Sequence, residues 1–157
     1  MRRVGLFVDV ANLYHCTRKK YGGKLSYSRY LEDVKTVIGG NLVCAKAFGG
    51  QVKKEAAEFI YSLQAIGYDV NYRKAKTFVR DGVKTHKCDC DLMLAMDIVR
   101  MLDDLDIIVL GTADSDFIPL INYCIDKGKR VVIYGCMVSS DLSKYENIEI
   151  TSSLMEK

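Results

Sequence analysis

The run Val4-Gly5-Leu6-Phe7-Val8 stops abruptly at Asp9, and short apolar segments of this kind recur along the chain. Strands buried on both faces read this way, whereas a half-exposed strand alternates apolar and polar residues. Residues 42–48, 68–72, 106–110 and 130–134 are the further strand candidates. Helix patterns lie between them. One falls between Ser26 and Ile38, and three more show as stripes: Ala56, Phe59, Ile60, Leu63 and Ile66; Leu92, Ala95, Met96, Val99 and Leu102; and Phe117, Leu120, Ile121 and Cys124. Gly67 and Gly128 stand where a glycine ends a helix. This alternation predicts an α/β protein with a mainly parallel, five-stranded sheet covered by helices on both faces.

At 157 residues, 49% of them hydrophobic, the chain is long enough to bury one core without disulfides or a metal. Residues 1–157 read as a single domain, with a core of about 3–136 and a short polar tail from Ser139. Lys and Arg number 23 against 20 Asp and Glu, a formal +3 that excludes both a bulk polycation and an acidic disordered chain. No apolar stretch approaches the ~18 residues of a membrane span, and the apolar run after Arg3 is too short for a secretory signal. The six cysteines are scattered. Together these features predict a cytoplasmic protein with reduced thiols and no membrane partner. Neither a Walker loop nor a Gly-X-Gly-X-X-Gly fingerprint is present, so no nucleotide cofactor is expected.

Residues 74–87 break the strand-helix rhythm, with an Asp81-Gly82 turn between polar flanks that predicts a β-hairpin. Within residues 73–87, Arg73, Lys74, Lys76, Arg80, Lys84 and Lys87 stand against one acid, Asp81, which concentrates the positive charge of the chain. A basic hairpin suits a phosphate backbone, although such a segment is also an ordinary solvated surface.

In a parallel α/β sheet the site forms at the carboxyl ends of the strands. Asp9 closes the first strand with Asn12 three residues on, and Asp114 and Asp116 follow the fourth strand in Thr112-Ala113-Asp114-Ser115-Asp116-Phe117. The helix predicted from about Cys90 to Asp103 feeds that strand, so its N-terminus, with Asp89 and Asp91, belongs to the same rim. Asp97 lies roughly 9 Å further down the helix and ranks second. Converging carboxylates repel unless a cation joins them. Ligands that are all oxygen suit Mg²⁺ or Mn²⁺ rather than Zn²⁺, and such an ion activates water. Beside the basic hairpin, this points to metal-dependent phosphodiester hydrolysis.

Each acid has a plainer role as a helix cap: Asp89 for the helix near Cys90, Asp116 or Ser115 for the helix carrying Pro119, and Asp9 with Asn12 in a strand-end turn. Capping does not by itself predict acids doubled at two helix starts and also closing the central strand. His86, Cys88 and Cys90 lack the paired spacing of a structural zinc site. Gly49-Gly50 before Gln51 and Lys53 is a weak candidate for a phosphate-binding turn.

The blocks Leu6-Phe7-Val8-Asp9-Val10-Ala11-Asn12-Leu13, Lys87-Cys88-Asp89-Cys90-Asp91 with Asp97, Thr112-Ala113-Asp114-Ser115-Asp116-Phe117, and Gly128-Lys129-Arg130-Val131 resemble the NYN domain family, the LabA-like branch of the PIN-like nuclease superfamily. The resemblance runs from Arg3 to about Gly135. It implies a three-layer α/β/α sandwich of strand order 3-2-1-4-5, a centre of one or two Mg²⁺ or Mn²⁺ ions, and ribonuclease activity on single-stranded or structured RNA. By that match Asp9, Asp91, Asp114 and Asp116 are the metal carboxylates and catalytic residues, and Asn12 orients the first of them or the substrate. Asp89, Thr112 and Ser115 support the centre. Lys87 lies close to the scissile phosphate, with Arg73, Lys74, Lys76 and Arg80 along the backbone. The family pattern Ser-Gly reads Thr112-Ala113 here: threonine keeps the hydroxyl, whereas alanine is expected to restrict the turn. The competing expectations are a non-catalytic RNA-binding module with a retained acidic centre and, more weakly, a phosphatase of small phosphoesters. The latter lacks its Asp-X-Asp, since Asp9-Val10-Ala11 stands there. DNA remains an alternative substrate, and exposed apolar edges allow a homodimer, although no clean interface stripe is visible.

Overall fold

The computed structural model describes residues 1–51, 56–74, 76–87 and 90–157; for residues 51, 56, 74, 76–78 and 84–87 it describes the backbone alone. Six strands form one parallel sheet: β1 (Arg3–Asp9), β2 (Asn41–Gln51), β3 (Asp69–Lys74), β6 (Ile107–Gly111), β7 (Arg130–Gly135) and β8 (Asn147–Glu149), in the order β3-β2-β1-β6-β7-β8. β4 (Lys76–Arg80) and β5 (Val83–Lys87) make the separate antiparallel hairpin that the Asp-Gly turn predicts. Asp81 and Gly82 both take positive φ, 52° and 77°, as a tight two-residue turn requires.

Helices α1 (Val10–Tyr21), α2 (Tyr27–Ile38) and α3 (Ala56–Ile66) cover one face of the sheet. Val8, Leu13, Tyr30, Val34, Leu63 and Val109 join in the core there. On the other face α4 (Asp91–Met101) and α5 (Ile118–Asp126) pack over Phe7, Phe48, Ile108 and Ile133. The connections therefore leave β1 and β6, which pair from Val4↔Ile107 to Val8↔Gly111, toward opposite faces. That divergence opens a crevice at their carboxyl ends. Among the described residues no helix is long and apolar enough to cross a membrane.

Three elements depart from the sequence expectation. The polar segment after Asp9 is helical: α1 buries only Val10, Leu13 and Thr17, and the Thr17 hydroxyl donates back to the Leu13 carbonyl at 2.7 Å. So narrow a buried stripe carries almost no apolar periodicity. The core also continues past residue 136. β8 adds a sixth strand beside β7, and Leu142, Ile150, Leu154 and Met155 are buried among the serines and acids that disguise them. On α4 the buried residues are Leu94 and Ile98; of the predicted stripe, Leu102 just past the helix is buried, whereas Leu92, Met96 and Val99 are exposed. Both sets recur at helical spacing, and the facing sheet decides between them; an exposed apolar stripe therefore does exist on this helix.

Candidate metal centre

β1 ends in Asp9, which is only 6% exposed. Its φ of −86° and ψ of 94° place it as the N-cap of α1, and its Oδ1 accepts the Asn12 N–H at 3.3 Å. Its Oδ2 accepts the Thr112 hydroxyl, just past β6, at 3.1 Å. Thr112 Oγ1 in turn accepts the Asp114 N–H at 3.2 Å, and Asp114 caps the next turn by accepting the Asp116 N–H at 2.9 Å. Asn12 Oδ1 accepts the Ala113 N–H at 2.9 Å, so α1 and the loop after β6 are tied by two independent links. Capping and clustering are thus the same geometry here: an acid that caps a helix start at this rim also faces the crevice.

Asp9, Asp91 and Asp114 each offer a carboxylate oxygen, and these oxygens all lie within 4.8 Å of one another. Asp91 stands in the first turn of α4, so three separate elements deliver the three acids. They line a cleft of about 200 Å³ with Ala11, Asn12, His15, Gly50 and Cys90. Burial pushes the Asp9 carboxyl above the usual carboxylate range, the Asn12 and Thr112 hydrogen bonds oppose the shift, and the charge of Asp114 adds to it. No salt bridge to Asp9 or Asp114 forms among the described residues. The donor set is made of carboxylates alone, the chemistry of a hard divalent cation.

The remaining predicted residues separate. Asp116 is exposed and lies outside the trio. Asp97 is drawn away, bonded to Lys46 of β2 at 3.1 Å with Arg100 at 3.7 Å. A residue six positions below Asp91 faces the middle of the sheet, not its rim. Thr112 is buried and Ser115 half-buried in the loop that presents Asp114. Arg73 and Arg80 are exposed on β3 and β4. Asp89 and Cys88 lie outside the described residues, as does Lys53, and so do the side chains of Gln51, Lys74, Lys76, Lys84, His86 and Lys87. Ala113 does not share the positive φ seen among the described non-glycine residues only at Asp81 and Met137. Alanine in the family's glycine position therefore costs no backbone strain. His15 is the cleft residue that the sequence reading missed. Its signal is its place on α1, one turn beyond Ala11 and Asn12, and without that helix its direction could not be read.

The NYN domain family profile matches residues 3–153. No curated protein matches the chain. Among solved structures, the crystal structure of a protein of unknown function from Vibrio parahaemolyticus superposes with a TM-score of 0.81 at 22% identity, covering 99% of this chain and 96% of that one. At that identity the likeness shows the fold. The NYN match carries with it the PIN-like nuclease fold, and the acidic trio is a group able to hold a divalent metal.

Proposed function

Because this chain belongs to the NYN domain family, we propose that it is a Mg²⁺- or Mn²⁺-dependent ribonuclease that hydrolyses internal phosphodiester bonds of RNA. The observation that carries this reading is the convergence of Asp9, Asp91 and Asp114 within 4.8 Å at the sheet's carboxyl rim. A divalent cation held by these three would offset their mutual repulsion and polarise water and the phosphodiester. Thr112 and Asn12 keep Asp9 and the Asp114 loop in place, the first through the carboxylate and the second through the Ala113 N–H. Asp116, at the exposed edge of the same loop, is assigned to the outer side of the centre, with Ser115 beside it and Asp89 in support. The phosphate backbone is assigned to Arg73, Lys74, Lys76, Arg80 and Lys87, along β3 and the hairpin. Such contacts position the strand without reading its sequence. The cytoplasm, where thiols stay reduced, is the assigned compartment, and a second copy of the chain is a further partner to test by sedimentation.

The test is cleavage of end-labelled single-stranded RNA with Mn²⁺, with Mg²⁺ and with EDTA, running Asp114→Asn beside the wild type. Metal-dependent cleavage lost in the variant is expected. Unchanged cleavage by the variant would remove the trio from the reaction. RNA retained in a gel shift but never cut would favour the non-catalytic binding module. Single-stranded DNA of the same sequence, run in parallel, reports whether the 2′-hydroxyl is read.

A further inference from the structure

Beside the metal cleft, on the face covered by α1, α2 and α3, lies a second and larger cavity of about 280 Å³. Such a volume sits at the small end of ligand sites, which run from ~300 Å³ upward. Tyr14, Tyr27 and Phe59 wall it with Leu63 behind, and Lys24 and Glu156 stand at its polar edge. The Tyr27 and Phe59 rings are 5.5 Å apart at 51°. The cavity and the metal cleft share no lining residue, but they meet at one pair of neighbours: Tyr14 lines the cavity, His15 lines the cleft, and their rings meet edge-on with centroids 5.5 Å apart.

The surroundings favour a polyanion. Arg18 donates to the Tyr14 hydroxyl at 2.9 Å and lies over its ring, and Lys24 lines the cavity itself, while Lys20 is paired with Glu149 at 3.8 Å. An aromatic slot flanked by cations is how single-stranded nucleic acid is held, with a base on the ring and phosphates on the basic side chains. Tyr14 is 41% exposed, so its ring stands open to solvent at the cavity wall. Nothing in the acidic trio requires such a slot, since hydrolysis of one phosphodiester needs only the cleft.

The geometry points to this cavity as a nucleobase subsite: one base of the RNA strand, a short step from the scissile phosphate, inserts between Tyr14 and Phe59, its polar edge meeting Lys24 and Glu156. The inference rests on the ribonuclease reading and extends it to how the strand is gripped. The hairpin then holds one side of the cut and α1 the other.

The experiment measures binding of a fluorescein-labelled single-stranded RNA 12-mer, and of copies carrying one abasic nucleotide at each position in turn, by the full chain in the Asp114→Asn background. Phe59→Ala removes a wall of the slot, and Ser62→Phe fills its mouth while leaving the wall intact, so that one variant tests the site if the other folds poorly. Stacking of one base predicts a loss of about fivefold to a hundredfold for either variant. It also predicts one abasic position that weakens the parent but makes no further difference in Phe59→Ala. Parent-like affinity in both variants overturns the subsite. Cleavage by the otherwise wild-type chain, measured alongside, keeps the two readings apart. Cutting with a silent slot removes the subsite alone, pocket-dependent binding without cutting removes the nuclease reading alone, and neither binding nor cutting removes both.

Discussion

The Thr112 hydroxyl donates to Asp9 across 103 positions of sequence, at 3.1 Å, and the same oxygen receives the Asp114 N–H at 3.2 Å. One side chain, 1% exposed, thereby sets the spacing between two of the three carboxylates. Thr112→Val preserves the shape and removes both bonds, leaving a buried carboxylate oxygen and an N–H short of partners. A loss of about 1–3 kcal/mol is expected, with weaker Mn²⁺ binding, while Thr112→Ser retains both. Urea unfolding and Mn²⁺ titration of the pair check this, and equal behaviour of valine and serine would show that the hydroxyl is idle.

Asp9 costs the metal-free fold stability. Its carboxyl is held above its unfolded value, chiefly by burial, so the folded chain binds the proton more tightly and loses stability as pH rises from about 4 through that raised value. Asp9→Asn removes the buried charge. In EDTA at pH 7 its Tm should rise, while the further stabilisation that Mn²⁺ gives the wild type disappears. Scanning fluorimetry with and without Mn²⁺ reads both effects. A fall in Tm in EDTA would mean that the Thr112 and Asn12 hydrogen bonds outweigh the burial of the charge.

Gly135 closes β7 directly under the loop that carries Asp114. A Cβ built there meets the Thr112 carbonyl oxygen and stands 3.1 Å from the Ala113 nitrogen, so backbone and not a flexible side chain must move. Its φ is not positive, which leaves steric overlap as the sole cost of alanine. Gly135→Ala should destabilise by roughly 1–3 kcal/mol and weaken Mn²⁺ binding, although it touches no carboxylate. Isothermal titration against a surface control of matched stability separates the two losses.

Sequence and structure agree where the physics is local. Val4–Val8 and Ile107–Leu110 are strands because no other element buries so short an apolar run on both faces, and acids at their carboxyl ends must share the rim. Asp9, Asp91 and Asp114 were legible for that reason. Asp97 was less so, because its attachment to Lys46 depends on how α4 rotates over β2. The same rotation hides which apolar residues on α4 are buried, since Leu94 and Ile98 compete with Leu92, Met96 and Val99, each set at helical spacing. Strand β8 escaped notice because three residues carry too little pattern, and its place is decided by β7 beside it. The aromatic cavity needs Tyr14, Tyr27 and Phe59 from three helices, and no spacing in one segment announces it.

At the opposite end of the sheet from the acidic trio, Arg3 and Asp106 clasp the starts of β1 and β6. The Arg3 N–H reaches Asp106 Oδ2 at 2.7 Å and its Nε the same oxygen at 3.2 Å, while the Asp106 N–H returns to the Arg3 carbonyl at 2.8 Å. These bonds, the guanidinium first, hold the Asp106 carboxyl down at about 2. A folded value below the unfolded one contributes stability that is complete above about pH 4 and is lost as pH falls toward 2. Asp106→Asn should therefore lower the Tm at pH 6 and leave it close to wild type near pH 2. Because both side chains are more than a third exposed, the charge contribution shrinks with salt, and what survives at high ionic strength is the share of the backbone N–H bond. Melting curves at pH 6 and pH 2.5, each with and without 1 M NaCl, resolve these contributions. A Tm difference between wild type and variant that stays constant across that range would show that the clasp does not titrate with Asp106.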